Sequence, residues 1–340
     1  MNRLNSSVRI VAELSANHAG RYETALELLR AAHQAGADAV KLQTYRPDTI
    51  TFKSDKEWFR LAPGNPWGAE TLYELYEKAY MPWEWQPLLK AEADNLGIEL
   101  FSTPFDESAV DFLEAMRIPR YKVASFELID LPLIAYIAHT GKPMIMSTGM
   151  ATLGEIRAAV ETARDNGCGD LTLLHCVSAY PASPEGFHLR TLGHLAETFG
   201  VSVGLSDHSL GTEISIAAVA LGATMIEKHV TLDRRLGGPD ARFSLEPSEL
   251  AILTQAARTV EKAMGGIHYG LKPGEEENAR YRPSVYAVQA IRRGDTFTRE
   301  NIATIRPGNG LPPFRYPDLL GHQASRDIEA GDPITDELLL

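Results

Sequence analysis

The chain has 340 residues, with 33 Lys and Arg against 45 Asp and Glu, a formal net charge of −12. At 44% apolar and 23% charged it has the makeup of a soluble globular protein, with no apolar run of about 18 residues to cross a membrane and no signal-peptide pattern in MNRLNSSVRIVAEL. An acidic chain without a basic run is a poor nucleic-acid binder, and two cysteines, Cys168 and Cys176, make neither disulfide framework nor zinc spacing, so a reducing cytoplasm is the expected setting.

Short aliphatic runs alternate with longer segments of helical period, the pattern of repeated βαβ units. The runs are Val8–Glu13, Ala37–Gln43, Glu99–Ser102, Arg120–Ala124, Met144–Ser147, Leu171–Leu174, Val201–Leu205 and Met225–Lys228. Helices are expected between them, among others over Tyr22–Gln34, Trp83–Leu96, Ser108–Met116, Leu153–Asn166 and Thr212–Leu221. Eight such units favour closure into a (β/α)₈ TIM barrel, which needs about 250 residues. The connection from Thr44 to Trp83 is too long for a plain loop and reads as an insertion with its own short helix. Its tryptophans, Trp58, Trp67, Trp83 and Trp85, either pack a ligand or anchor a long loop. After Gly265 the pattern changes. The expected organisation is a barrel over residues 1–268, a polar linker over 269–280 and a small β-rich module over 281–340. So small a module buries little apolar surface by itself and is expected to lean on the barrel or on another subunit.

Active sites of such barrels lie at the C-terminal ends of the strands. The eight runs lead into Glu13; Lys41 and Gln43; Thr103; Lys122, Ser125 and Glu127; Ser147; Ser178 and Tyr180; Ser206 and His208; and Glu227 with His229. Any one of these would pass as a solvated rim residue; eight polar ends on one face point to an active site. Hydroxyls converging with two lysines suit a phosphate and a carboxylate. A barrel lysine also serves as a Schiff-base nucleophile, so Lys41 and Lys122 leave an aldolase acting on pyruvate open. His208 and His229 follow adjacent strands and suit a divalent metal, or are hydrogen-bonded core residues. Asp240, after Gly237-Gly238-Pro239, is either a ligand carboxylate or part of a surface turn. Arg306, on a Pro/Gly loop of the module, reads by itself as a rim residue. A third reading makes the tail a ligand-binding part, which would leave the polar barrel face without a use.

The stretches AELSANHAG, KLQTY, FSTPFD, YKVASFE, STGMATL, SAYPA, GLSDHS, EKHVTLDR, GGPDARFSLEP and RPGNGL resemble the nonulosonic (sialic) acid synthases over about residues 8–340. The resemblance implies a (β/α)₈ barrel followed by an antifreeze-like (SAF) domain. It implies condensation of phosphoenolpyruvate with an amino sugar in its open aldehyde form, helped by Mn²⁺ or Mg²⁺, with cleavage of the phosphoenolpyruvate C–O bond. The stretches KLQTYRPDTIT, YEKAYMPWEW, SAYPA and GGPDARFSLEP are most like the branch whose acceptor is 2,4-diacetamido-2,4,6-trideoxy-L-altrose; the neuraminate and legionaminate branches are the alternatives. Carried over by position, His208 and His229 would hold the metal. Lys41, Thr103, Lys122, Ser125, Ser147, Ser178 and Ser206 would bind phosphoenolpyruvate. Glu13 and Glu127 would handle protons with Lys41 and Lys122 beside them, and Gln43, Tyr180 and Asp240 would contact the sugar. Arg306 would reach the partner's site in a domain-swapped homodimer. Ser178 stands where neuraminate synthases carry Asn.

Overall fold

A computed structural model describes residues 7–62 and 71–340. The chain divides into two compact units, Met1–Gly265 and Gly266–Leu340.

In the first unit eight parallel strands close a barrel in chain order. They are β1 Arg9–Glu13, β2 Ala39–Thr44, β3 Glu99–Pro104, β4 Tyr121–Val123, β5 Met144–Ser147, β6 Leu171–Cys176, β7 Ser202–Asp207 and β8 Met225–His229. Closure runs through β1 and β8, with Val11 opposite Glu227 and Glu13 opposite His229. The helices are α1 Tyr22–Gln34, α2 Pro47–Ile50, α3 Leu72–Ala79, α4 Gln86–Leu96, α5 Glu107–Ala115, α6 Leu131–Ala138, α7 Leu153–Asp165, α8 Thr191–Phe199, α9 Glu213–Ala220 and α10 Pro247–Met264. Among the described residues, no helix is long and apolar enough to cross a membrane.

Local chemistry sets the helix ends. Thr152 and Glu155 form a capping box on α7, each satisfying a backbone donor at the other. Asp106 caps α5 through the amide of Ala109. Gly97 ends α4 in the left-handed conformation, φ 73°, which a side chain would resist. The helix expected over Trp83–Leu96 begins as a 3₁₀ turn, Trp83–Trp85, before α4. The Thr44–Trp83 insertion does contain its own helices, α2 and α3.

Two cores follow from the period-2 strand pattern. Outward residues of the strands pack on the helices in one large cluster that includes Ile10, Leu42, Leu100, Val123 and Leu173. Inward residues Val11, Ala39, Phe101, Ile145, Leu174 and Met225 fill the barrel itself. One alternation further along, the inward positions include Glu13, Lys41, Thr103, Ser147, Cys176 and Glu227, so the apolar plug becomes the floor of a polar mouth.

In the second unit β9 Ser284–Ala287 pairs antiparallel with β10 Ile302–Ile305. Its core includes Val285, Ile291, Phe297, Ile302, Ile328 and Ile334. Two one-turn helices, α11 Glu276–Ala279 and α12 Tyr316–Leu319, belong to it.

Gly204 sits inside the barrel on β7, where an added Cβ would collide with the Met225 carbonyl and come within 2.7 Å of Leu174 Cδ2. Gly204→Ala is expected to destabilise the protein by about 1–3 kcal/mol, the usual range for overpacking, as read by urea denaturation.

Candidate active site

The strand ends build a cavity of about 370 Å³ whose lining includes Lys41, Lys122, Ser147, Ser206, Glu227 and His229. Its floor is a cluster of four buried charges. Glu13 Oε2 lies 2.7 Å from Lys41 Nζ. Glu227 Oε1 lies 3.5 Å from Lys41 Nζ and 3.7 Å from Lys122 Nζ, and it accepts a hydrogen bond from the Ser206 hydroxyl at 3.0 Å. Burial by itself would depress the Lys41 ammonium, but Glu13 and Glu227 hold it above its ordinary range. Lys122 is pushed down by burial, with Glu227 pulling against that. Glu227 is held low because two lysines outweigh its burial. Burial pushes the Glu13 carboxyl up, Lys41 opposes this, and the Glu227 charge adds to it. An unpaired charge at this depth would cost several kcal/mol, so the four stand or fall together.

Small polar groups surround this floor. Lys41 donates to Thr103 Oγ1 at 3.3 Å. The Gly149 amide donates to Ser125 Oγ at 3.1 Å. A Cβ at position 149 would collide with the hydroxyls of both Ser125 and Ser178, so the glycine keeps open the space they share. The Ser147 hydroxyl is buried with no hydrogen-bond partner. Ser125, Ser147 and Ser206 line the cavity, whereas Thr103 and Ser178 are not among its lining residues. Thr103 acts on Lys41, and Ser178 flanks Gly149.

His208 and His229 face each other with ring centroids 5.3 Å apart. The Nδ1 of His208 is 3.0 Å from the Val177 carbonyl, which can only accept, so Nδ1 carries a proton; burial pulls this imidazole down, but Cys176 and the carbonyl hold it above its ordinary value. His229 Nδ1 is buried with no hydrogen-bond partner, 3.7 Å from Asp240 Oδ2. Burial, with the charge of His208 adding to it, keeps His229 neutral. Phe243 packs on both imidazoles and on Tyr180. Cys176 Sγ lies 3.7 Å from His208 Nδ1, which lowers the thiol against its burial.

The loops carrying these groups are tied down by buried polar contacts. Ser15, at φ 43°, donates its amide to Glu13 at 3.0 Å and its hydroxyl to Asp240. Asn17 Nδ2 donates to the Val230 carbonyl and to Ser244 Oγ, both at 2.8 Å. On the outward face of β8, Lys228 is ion-paired to Asp207 at 2.9 Å with both side chains fully buried. Asp207 also accepts from Ser209 and Ser215, and Lys228 donates to the Ser209 carbonyl. This network holds the turn that carries His208.

Glu127 lies on the 3₁₀ turn Phe126–Ile129 after β4 and lines the cavity. Burial pushes its carboxyl up to about 7. Gln43 and Tyr180 also line the cavity. Arg306 is an exposed residue of the second unit, directly after β10. Among the described tryptophans none lines the cavity: Trp83 donates to the Tyr45 carbonyl, Trp85 packs edge-on against His18, and Trp58 is exposed. Trp67 falls outside the described residues. The tryptophans at 83 and 85 therefore pack within the protein beside the insertion and not on the cavity lining. Ser15 and Gly149 carry no sequence signal for these parts, and Glu227 stands out in the sequence only as a polar strand end. The period-2 step from Met225 to Glu227 to His229 was the signal for Glu227.

A sequence profile of the NeuB family matches residues 28–269. The chain belongs to the NeuB family. A profile of the SAF domain matches residues 282–340, so the second unit carries the antifreeze-like module. Pseudaminic acid synthase of Campylobacter jejuni is 43% identical over 332 residues, 98% of this chain and 96% of that one. Its counterpart in Helicobacter pylori is 41% identical over 328 residues, 96% of each. The crystal structure of an N-acetylneuraminic acid synthetase from Leptospira borgpetersenii is 33% identical with a TM-score of 0.72, covering 82% of this chain and 92% of that one. As a NeuB-family protein the chain is an enzyme, a synthase of the sialic-acid type.

Two outcomes are expected. Lys228→Met should cost about 3–5 kcal/mol by stranding Asp207, and adding Asp207→Leu should recover part of it; urea denaturation of both variants checks this. For Glu127 the folded-state value near 7 lies above the ordinary 4.5. Between those values the folded protein keeps a proton that the unfolded chain releases, so this group's contribution to stability falls as pH rises through that window. Relative to wild type, Glu127→Gln should therefore gain up to about 3 kcal/mol from pH 5 to pH 8.

Proposed function

We propose that the protein condenses phosphoenolpyruvate with 2,4-diacetamido-2,4,6-trideoxy-L-altrose and water, giving pseudaminic acid and phosphate. The observation that carries this is the cavity floor: two buried lysines and three serine hydroxyls beside a facing pair of imidazoles. The likeness to pseudaminic acid synthases over nearly the whole chain supports the choice of sugar.

The expected Mn²⁺ or Mg²⁺ suits His208 and His229. His229 Nδ1 is buried without a hydrogen-bond partner, and the Val177 carbonyl, by holding the Nδ1 proton of His208, leaves Nε2 as the nitrogen that would bind a metal, the way many metal-bound histidines are oriented. Among the described residues no third His, Cys, Asp or Glu completes a cage, so substrate and water would supply the other positions. When bound, such a metal supplies Lewis-acid polarisation of the aldehyde oxygen.

The chain's own groups do the rest. Lys41 and Lys122 bind the carboxylate and phosphate of phosphoenolpyruvate as point charges, and the hydroxyls of Ser125 and Ser147 donate to its oxygens, with Ser206 beside them fixing Glu227 and the Gly149 amide fixing Ser125. Thr103 orients Lys41, and Ser178 keeps the Gly149 cradle in shape. The enol carbon of phosphoenolpyruvate attacks the sugar aldehyde, and water adds at the cationic C2, giving one proton to the floor carboxylate Glu13 and leaving the other on the C2 hydroxyl, from which it departs with the phosphate. Collapse of that tetrahedral centre breaks the C–O bond to phosphate. Glu127, poised near 7, gives a proton to the nascent hydroxyl, and Glu13 exchanges protons with the lysine-lined floor. Gln43, Tyr180 and Asp240 hold the sugar, and Arg306 enters from a partner in a domain-swapped homodimer. A Lys41 held cationic by two carboxylates is a poor imine-forming amine, which leaves Lys122, pushed down by burial, as the lysine an aldolase would use.

The test is phosphate release from phosphoenolpyruvate after EDTA treatment and Mn²⁺ add-back. The altrose, its D-series counterpart and N-acetylmannosamine are supplied singly. Metal-dependent release with the altrose alone is expected. Preference for another sugar overturns the choice of acceptor, and no release with any overturns the synthase reading in favour of borohydride-trappable aldolase chemistry.

A further inference from the structure

The cavity has a second, chemically opposite wall. Helix α3 lays Leu72, Leu75, Tyr76 and Ala79 along it, the i, i+3, i+4, i+7 stripe of one helix face. Ile50 at the end of α2, Leu61 and Phe105 continue the same surface. The opposite face of α3 carries Tyr73, Glu74, Glu77 and Lys78, so the apolar stripe is turned to the cavity by design of the sequence. Of the stripe only Leu75 is buried; Leu72, Tyr76 and Ala79 are partly exposed, as are Ile50, Leu61 and Phe105. An apolar stripe left partly open inside a cavity is surface waiting for an apolar ligand group.

The helix is held in place independently of any ligand. Thr71 and Glu74 cap its start reciprocally. The Tyr76 ring packs edge-on against Tyr45, 5.7 Å between centroids, and Tyr45 packs in the same way on Phe105 at 5.2 Å. Gln43, in β2, and Tyr45, directly after it, lie two and four residues beyond Lys41, so wall and charged floor are joined through one short segment.

We infer that this wall, the stripe of α3 with Ile50, Leu61 and Phe105, seats the C6 methyl of the acceptor sugar and makes the enzyme selective for 6-deoxy sugars. The inference rests on the synthase reading above. An open-chain acceptor with its aldehyde at the floor carries its other end away from the charges, and the aliphatic wall is the part of the cavity without charge. A methyl there removes apolar surface from water. A hydroxymethyl there is desolvated among Ile50, Leu61 and Leu72, whose side chains offer no hydrogen bond. One such group is worth roughly 10–200-fold in discrimination.

The experiment compares two acceptors that differ only at C6: 2,4-diacetamido-2,4,6-trideoxy-L-altrose and its 6-hydroxy counterpart, with phosphate release as the readout. Wild type is expected to favour the deoxy sugar in kcat/KM by about 10-fold or more. Leu72→Gln should shrink that preference at least about fivefold, chiefly through a higher KM for the deoxy sugar and with the KM for phosphoenolpyruvate unchanged, while Leu72→Met keeps it. Wild type using both acceptors within about twofold overturns the inference whatever the variants do, and so does an unaltered preference in a folded Leu72→Gln. No phosphate release by wild type with either acceptor overturns the synthase reading, and this inference with it.

Discussion

Four almost fully buried charges meet at the floor of the cavity. Glu13, Lys41, Lys122 and Glu227 come from β1, β2, β4 and β8, and each is intolerable at its depth without the others. A closed barrel is what makes the arrangement possible. Parallel strands wound in order bring β1 against both β2 and β8, so the carboxylates of the first and last strands share one lysine. The cluster leaves an anion site that is neither a bare positive hole nor a neutral one: hydroxyls and a backbone amide ring two ammonium groups that already have partners.

Around that floor the structure spends its polar contacts on fixing loops. The buried Asp207–Lys228 pair lies outside the barrel wall, faces no ligand, and holds the turn of His208 against β8. Ser15 bridges the β1 loop to Asp240, and Asn17 reaches Val230 and Ser244. The imidazole pair is thus supported from two directions, which fixes the two rings relative to each other.

The cavity is bipolar. Its charged half comes from the strands and its aliphatic half from the insertion between β2 and β3. This division of labour is typical of the barrel: strand ends carry chemistry common to a family, and an inserted loop sets which substrate fits.

Much of this was legible in the chain before folding. Alternating aliphatic runs with helical segments between them specified eight βα units, because side-chain period follows backbone geometry. Tyr22–Gln34 and Met144–Ser147 fall where the pattern places them. The polar strand ends marked the face of the site, since Lys and Glu next to core strands need a reason to be there. What the sequence could not show was which polar end pairs with which. Glu227 reads as one more residue of Glu227-Lys228-His229 until β8 closes on β1, and only then do Glu227 and His229 face inward while Lys228 turns out to Asp207. Likewise the tryptophans of the insertion drew the eye by size, yet the cavity is lined by Leu72, Leu75 and Ile50. Composition and period determine the elements and their faces, because those are local properties. Closure and loop packing decide which faces meet, because those contacts join residues more than 200 positions apart, as Ser15 and Asp240 are.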